Sequence, residues 1–200
     1  MENIPKQGLD DILAALFIPY RERVPNVEKI TRAMIQHGVI QQQSDIENDH
    51  IAFRTLGVPH LGIASFEKIF LHYGYEKRDY YYFEGKKLDA FWYAPPSKHY
   101  PRIFMSELRV NDLSEVAQKI IKRYTGPITK DPVDQLDLND SKTVGNFFYA
   151  PLWQLPTLED YKILLEESEY AAWVIYNRYY LNHYTISVHD LPSAFNTLEK

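Results

Sequence analysis

The sequence contains no cysteine. That absence removes disulfides, iron–sulfur ligation, thiolate zinc sites and a thiol nucleophile, and it suits a reducing compartment, so the expected location is cytoplasmic. Long apolar runs are missing as well. The longest, 12-ILAALFI-18, is seven residues, far short of the roughly 20 that span a bilayer. The opening MENIPKQGLDD is acidic and interrupted by proline, which is not the pattern of a signal peptide. Basic clusters are absent too: no block of Lys or Arg exceeds a pair, and the formal charge is -5. Neither nucleic acid nor an anionic membrane surface is therefore an expected partner. No Gly-rich phosphate loop, G-x-S-x-G elbow or H-E-x-x-H helix occurs.

What is present is material for a core. Of 200 residues, 45% are hydrophobic and 14% aromatic, enough for the interior of a domain of ordinary size. Residues 1–48 read as a helical cover. GLDDILAALF has apolar residues at helical spacing and is expected to end near 19-PYRERVP-25; VEKITRAMIQH follows, with Asn26 as its expected N-cap and Gly38 as its stop. From Asp49 the hydrophobic period changes from 3.6 to 2. HIAFRT is then a strand, 65-SFEKIFLHYG-74 a helix, and YEKRDYYYF, KLDAFWYA and RIFMSELRV three further strands, which makes 49–111 a β-α-β-β-β module.

Residues 112–180 form a helical and loop insertion. It opens with a helix capped by an Asp or Ser, passes through a polar stretch, 125–147, that reads as a surface excursion or lid, and closes on a mostly helical 157–180. Residues 181–200 start a second module: the strand NHYTISV, then a helix from Pro192. NDHIAFRT and LNHYTISV form a weak internal repeat, each with a histidine at the third position of a strand. The expected fold class is α+β, with paired β-α-β-β-β modules, added helices and a second module cut short. The tyrosine-rich segments YYYF and NRYYLNHY are expected to pack in the core with their hydroxyls at the rim.

Alternation along a strand puts His50, Ala52 and Arg54 on one face and Ile51, Phe53 and Thr55 on the other. In the second motif, His183, Thr185, Ser187 and His189 share a face, although His189 lies near the strand's end and is expected in a loop. Placed side by side, the two strands would bring His50 and His183 toward one cavity, and the small Ala52 leaves room above it. Two neutral imidazoles and a carboxylate make the facial set that holds Fe(II), with open positions for a chelating 2-oxo acid and dioxygen. Arg54 offers a planar, permanently charged fork for a carboxylate. The plainer alternative for each histidine is a hydrogen-bonded surface or half-buried residue. Glu107 is the one carboxylate in an otherwise largely apolar strand. It is a candidate metal ligand, a partner for a histidine, or a salt-bridged structural residue. His60, His72 and His99 read as surface residues.

On DHIAFRT, SELRV and NHYTIS, the sequence resembles the 2-oxoadipate dioxygenase/decarboxylase family, also called hydroxyglutarate synthase. The likeness runs from about Ile12 to Lys200, and DHIAFRT is its most specific part. The resemblance implies a fold related to the vicinal oxygen chelate superfamily and a non-haem Fe(II) held by two histidines and a glutamate. It also implies conversion of 2-oxoadipate and dioxygen into 2-hydroxyglutarate and carbon dioxide without an external reductant, and suggests a place in lysine degradation. Residue by residue, it gives ligand roles to His50 and His183 and the substrate-binding, catalytic role to Arg54. The family's glutamate ligand lies on a late strand of the second module, which this chain does not reach; Glu107 takes the matching place in the first module by pseudo-symmetry. Two other functions suit the same fold: a lyase or hydrolase using another metal such as zinc or manganese, and a non-catalytic module that grips a small carboxylic acid.

Overall fold

Helical spacing of Leu9, Ile12 and Leu16 builds α1 (Lys6–Arg23), and all three side chains are buried. The structure, a computed structural model, describes residues 6–197. α1 runs through the expected linker, with Pro19 inside it. A proline has no N–H to give to the carbonyl four residues back, which here is Ala15 O. The Tyr149 hydroxyl donates to that carbonyl, and to Leu16 O at 2.9 Å, so the helix continues without an orphaned acceptor. α2 (Asn26–Gln36) starts one residue earlier than expected. Asn26 lies in its first turn and Pro25 precedes it with no side-chain cap. Gly38, at φ +68°, stops it as expected.

The period-2 segments form one mixed sheet. β1 (Asn48–Leu56), α3 (Ile63–His72), β2 (Glu76–Phe83), β3 (Leu88–Ala94) and β4 (Arg102–Leu108) follow in the expected β-α-β-β-β order, and β5 (His183–Ile186) joins them. The strand order is β2-β3-β4-β1-β5, with β1 parallel to β4 and antiparallel to β5. Ile51, Phe53 and Thr55 are buried, and Phe53 packs on Phe66 and Phe70 of α3 and on Phe148. On the same side, Tyr184 of β5 meets Phe17 and Tyr20 of α1. The other face carries His50, Ala52 and Arg54.

The rest of the chain wraps this frame. α4 (Glu115–Thr125) is capped by Ser114, whose Oγ accepts from Ala117 N. The stretch expected to be a lid contains α5 (Ser141–Phe147), capped by Asp140 and seated against α1 where Gly145 faces Ala15. Thr157 caps α6 (Leu158–Glu167) and Ser168 caps α7 (Glu169–Asn177). Two further expectations fail. Residues 192–197 form turns, not a helix, and residues 198–200 of that segment lie outside the described ones. YYYF is not core: all eight residues of β2 are exposed, because β2 is a sheet edge bonded to β3 alone.

Glu107 is placed by β4. It pairs in register with Thr55, so it faces α3, away from the side of the sheet that carries His50. Its Oε2 accepts from Ile63 N at 2.7 Å, which caps α3, and a Cβ on Gly62 would stand 1.9 Å from that oxygen. Burial raises the Glu107 carboxyl above its ordinary value, partly offset by the Ile63 N–H. Folding therefore favours proton uptake there, and the contribution of Glu107 to stability falls as pH rises from the ordinary value through the raised one.

Two outcomes follow from these contacts. Tyr149→Phe should cost about 0.5–1.5 kcal/mol in urea unfolding. The cost should shrink in a Pro19→Ala background, where the substituted residue brings a backbone N–H that can serve Ala15 O; an equal cost in both backgrounds contradicts the assignment. Glu107→Gln keeps the acceptor but not the titration. Its urea midpoint should gain on the wild type as pH rises from 4.5, and parallel pH curves would show that the buried carboxyl is not the source.

Candidate active site

The antiparallel pairing of β5 with β1 sets Thr185 opposite His50 and His183 opposite Ala52. Asn182 N donates to Ala52 O at 3.0 Å, and His50 N donates to Thr185 Oγ1 at 3.2 Å. The two imidazoles consequently meet above Ala52, with ring centroids 5.6 Å apart and planes at 77°. His50 Nδ1 lies 2.9 Å from Asp49 Oδ2 and 2.9 Å from Thr185 Oγ1. Asp49 is itself tied down, because its Oδ1 accepts from Arg102 Nη1 at 3.0 Å. His183 Nδ1 lies 3.1 Å from Asn182 Nδ2. On both rings Nδ1 is engaged, while neither Nε2 has a hydrogen-bond partner among the described residues. On His50 the carboxylate at Nδ1 fixes the tautomer that leaves Nε2 as a lone-pair donor. On His183 the Asn182 amide nitrogen donates to Nδ1, so presenting the Nε2 lone pair requires that amide to turn its oxygen to the ring.

The electrostatics agree with this. Desolvation, then the neighbouring His50 and Arg54, hold the His183 imidazole below its ordinary pKa, which favours the neutral form that binds a metal. Two neutral imidazoles suit a divalent first-row metal and fill two of its positions. Among the described residues no third His, Asp or Glu joins them to complete a group of metal-binding side chains. Glu107 in particular is on the far side of the sheet. His60, His72 and His99 are exposed, and His189 sits in a short 3-10 turn over Val188–Asp190, beyond the end of β5.

Arg54 lies on the same sheet face, paired in register with Ser106. With Ala52, Phe104, Ser106, Tyr170 and His183 it lines a cleft of about 450 Å³. Its Nη1 donates to Glu169 Oε1 and Oε2 at 3.1 and 3.3 Å. The guanidinium stands over the rings of Tyr170 and Trp173, at 4.9 and 5.1 Å from their centroids. Sequence reasoning missed these companions. Asp49 was open to discovery, since it precedes His50 in the most specific motif. Glu169, Tyr170 and Trp173 share one face of α7, but nothing in their spacing ties them to a strand residue far away in the chain.

A family model for 2-oxoadipate dioxygenase/decarboxylase matches residues 12–200. A protein of Arabidopsis thaliana named 2-oxoadipate dioxygenase/decarboxylase, chloroplastic, is 39% identical over 163 residues, covering 76% of this chain and 42% of the relative. The Oryza sativa counterpart, named chloroplastic/amyloplastic, is 35% identical over 198 residues, covering 90% of this chain and 52% of its own. This chain therefore spans about half the length of these curated relatives. The crystal structure of hydroxyglutarate synthase from Oryza sativa in complex with 2-oxoadipate superposes with a TM-score of 0.81 at 32% identity, covering 98% of this chain and 63% of that one. A structure from Ralstonia eutropha ascribed to the glyoxalase superfamily, whose fold is that of the vicinal oxygen chelate proteins, shares the fold at a TM-score of 0.70 and 23% identity, covering 88% and 60%. With the α+β order and the paired first strands in place, the chain belongs to the 2-oxoadipate dioxygenase/decarboxylase family.

Proposed function

We propose that the protein carrying this chain is an Fe(II)-dependent enzyme that decarboxylates and hydroxylates a 2-oxo dicarboxylic acid. In that reaction 2-oxoadipate and dioxygen become 2-hydroxyglutarate and carbon dioxide. The observation that carries the reading is the pair of imidazoles on adjacent strands, each with Nε2 free, beside an arginine on the same sheet face. Family membership and the 2-oxoadipate bound in the rice hydroxyglutarate synthase support the substrate class.

His50 and His183 would hold the metal. Bound iron supplies the redox chemistry that joins dioxygen to the keto acid. The chain's own residues do the rest. Asp49 and Thr185 orient the His50 ring through Nδ1, and Arg102 anchors Asp49. Arg54 grips a substrate carboxylate through charge-assisted hydrogen bonds, which fixes the acid relative to the two imidazoles. Ala52 and the Phe104 ring line the cleft beside Arg54 and His183, and His50 lines a neighbouring cavity that shares the Phe104 ring. The lack of cysteine supports a reducing compartment such as the cytoplasm, while the plant relatives are named chloroplastic. No described helix is long and apolar enough to cross a membrane.

The test uses the longest natural form of the protein, loaded anaerobically with Fe(II) and 2-oxoadipate and then exposed to air. Dioxygen uptake should match carbon dioxide release one for one and vanish in His50→Ala and His183→Ala. Absence of uptake removes the proposal. Arg54→Ala should lower kcat/KM by the equivalent of about 2–5 kcal/mol, as for loss of one partner of a buried charge pair.

A further inference from the structure

An arginine on a strand is a long, flexible side chain, and left free it would present its fork in many directions. Arg54 is not left free. One ring beneath it belongs to Tyr170, which is buried and anchored: its hydroxyl accepts from Thr55 N at 3.1 Å, donates to Ser106 O at 2.9 Å and lies 2.8 Å from Ser106 Oγ. Those bonds span β1 and β4, so this ring is fixed to the same strands that carry Arg54 and Ser106. The second ring, Trp173, lies one turn further along α7 on the same helix face. Its indole N–H makes no hydrogen bond among the described residues, and the ring is only partly buried. The ring packs against the edge of the core, and it also stands 5.1 Å beneath the guanidinium of Arg54. Glu169 takes Nη1 from the solvent side. Nε and Nη2 have no hydrogen-bond partner among the described residues and remain available to a ligand.

We propose that Tyr170 and Trp173 are positioning residues for Arg54: the two rings hold the guanidinium plane so that its unpaired N–H groups meet a substrate carboxylate at one place. The inference rests on the carboxylate-binding role of Arg54 and extends it to α7. The start of this helix thereby becomes part of the substrate site without touching the reacting atoms. Trp173 is the residue to alter, since Tyr170 also supports the sheet through its hydroxyl.

The experiment is a double-mutant cycle read by anaerobic calorimetry, with 2-oxoadipate titrated into the Fe(II)-loaded protein. Trp173→Leu should weaken binding about threefold to tenfold, and Trp173→Phe, which keeps a ring, should recover most of the loss. In an Arg54→Met background the Trp173→Leu change should have no further effect, because the group it acts through is gone. Unchanged affinity in Trp173→Leu overturns the proposal, as does a loss that persists in full when Arg54 is already absent. Wild-type affinity in Arg54→Met alone would instead overturn the carboxylate role of Arg54, and the cradle with it. Thermal midpoints of all variants, with Trp173→Phe as the conservative control, separate these effects from a failure to fold.

Discussion

Everything at the cleft depends on four residues of β5 lying antiparallel to β1. The contact joins strands whose paired residues His50 and Thr185 lie 135 positions apart in the chain, and its register decides what meets what. With His183 opposite Ala52 and Thr185 opposite His50, the two imidazoles share one side of the sheet and Tyr184 goes to the other. A slip of one residue would reverse this, since side chains alternate with period two. Several bonds hold the register. Asn182 N and Ser187 N extend the pairing past both ends of β5, to Ala52 O and Glu47 O. Thr185 Oγ1 accepts from His50 N and also reaches His50 Nδ1. Tyr184, packed against two rings of α1, makes the wrong face costly to expose. The threonine therefore links strand pairing to the chemistry of the ring beside it.

The sheet divides its labour by face. One side is covered by α3 and α1 and is packed with aromatic rings. The other keeps the cleft, where polar side chains stand over the small Ala52. Glu107 shows how strict the division is. It sits in a strand next to β1 and only a few residues from Phe104 and Ser106 of the cleft, yet its odd position in the alternation sends it to α3, where it does the work of a helix cap. Arg54 and α7 meet at the boundary. The helix that closes this end of the cleft by its first turn also supplies the rings beneath the guanidinium.

Much of this was legible in the sequence, for identifiable reasons. Alternation in HIAFRT is strong because Ile51, Phe53 and Thr55 fill a core, and the same alternation puts His50 and Arg54 together. The β-α-β-β-β order was readable from the change of period at Asp49 and from the turns between strands. What could not be read depends on contacts distant in sequence. Pro19 looked like a helix stop because its lost hydrogen bond is visible locally, while the tyrosine that replaces it lies beyond a hundred intervening residues. YYYF looked like core because aromatic content does not reveal that β2 is an edge. The strand parity of Glu107 was available from MSELRV, but pseudo-symmetry suggested a ligand role and distracted from it. The companions of Arg54 on α7 leave no local trace at all.

The central claim is that strand pairing makes His50 and His183 one two-imidazole donor set. An anaerobic titration with cobalt(II), a spectroscopic stand-in for iron(II), followed by proton NMR tests it most directly. The account predicts saturable one-to-one binding with hyperfine-shifted ring N–H signals from two histidines, and loss of the whole set in either His50→Ala or His183→Ala. Cobalt binding at wild-type affinity in His183→Ala, with the His50 signal intact, would contradict it.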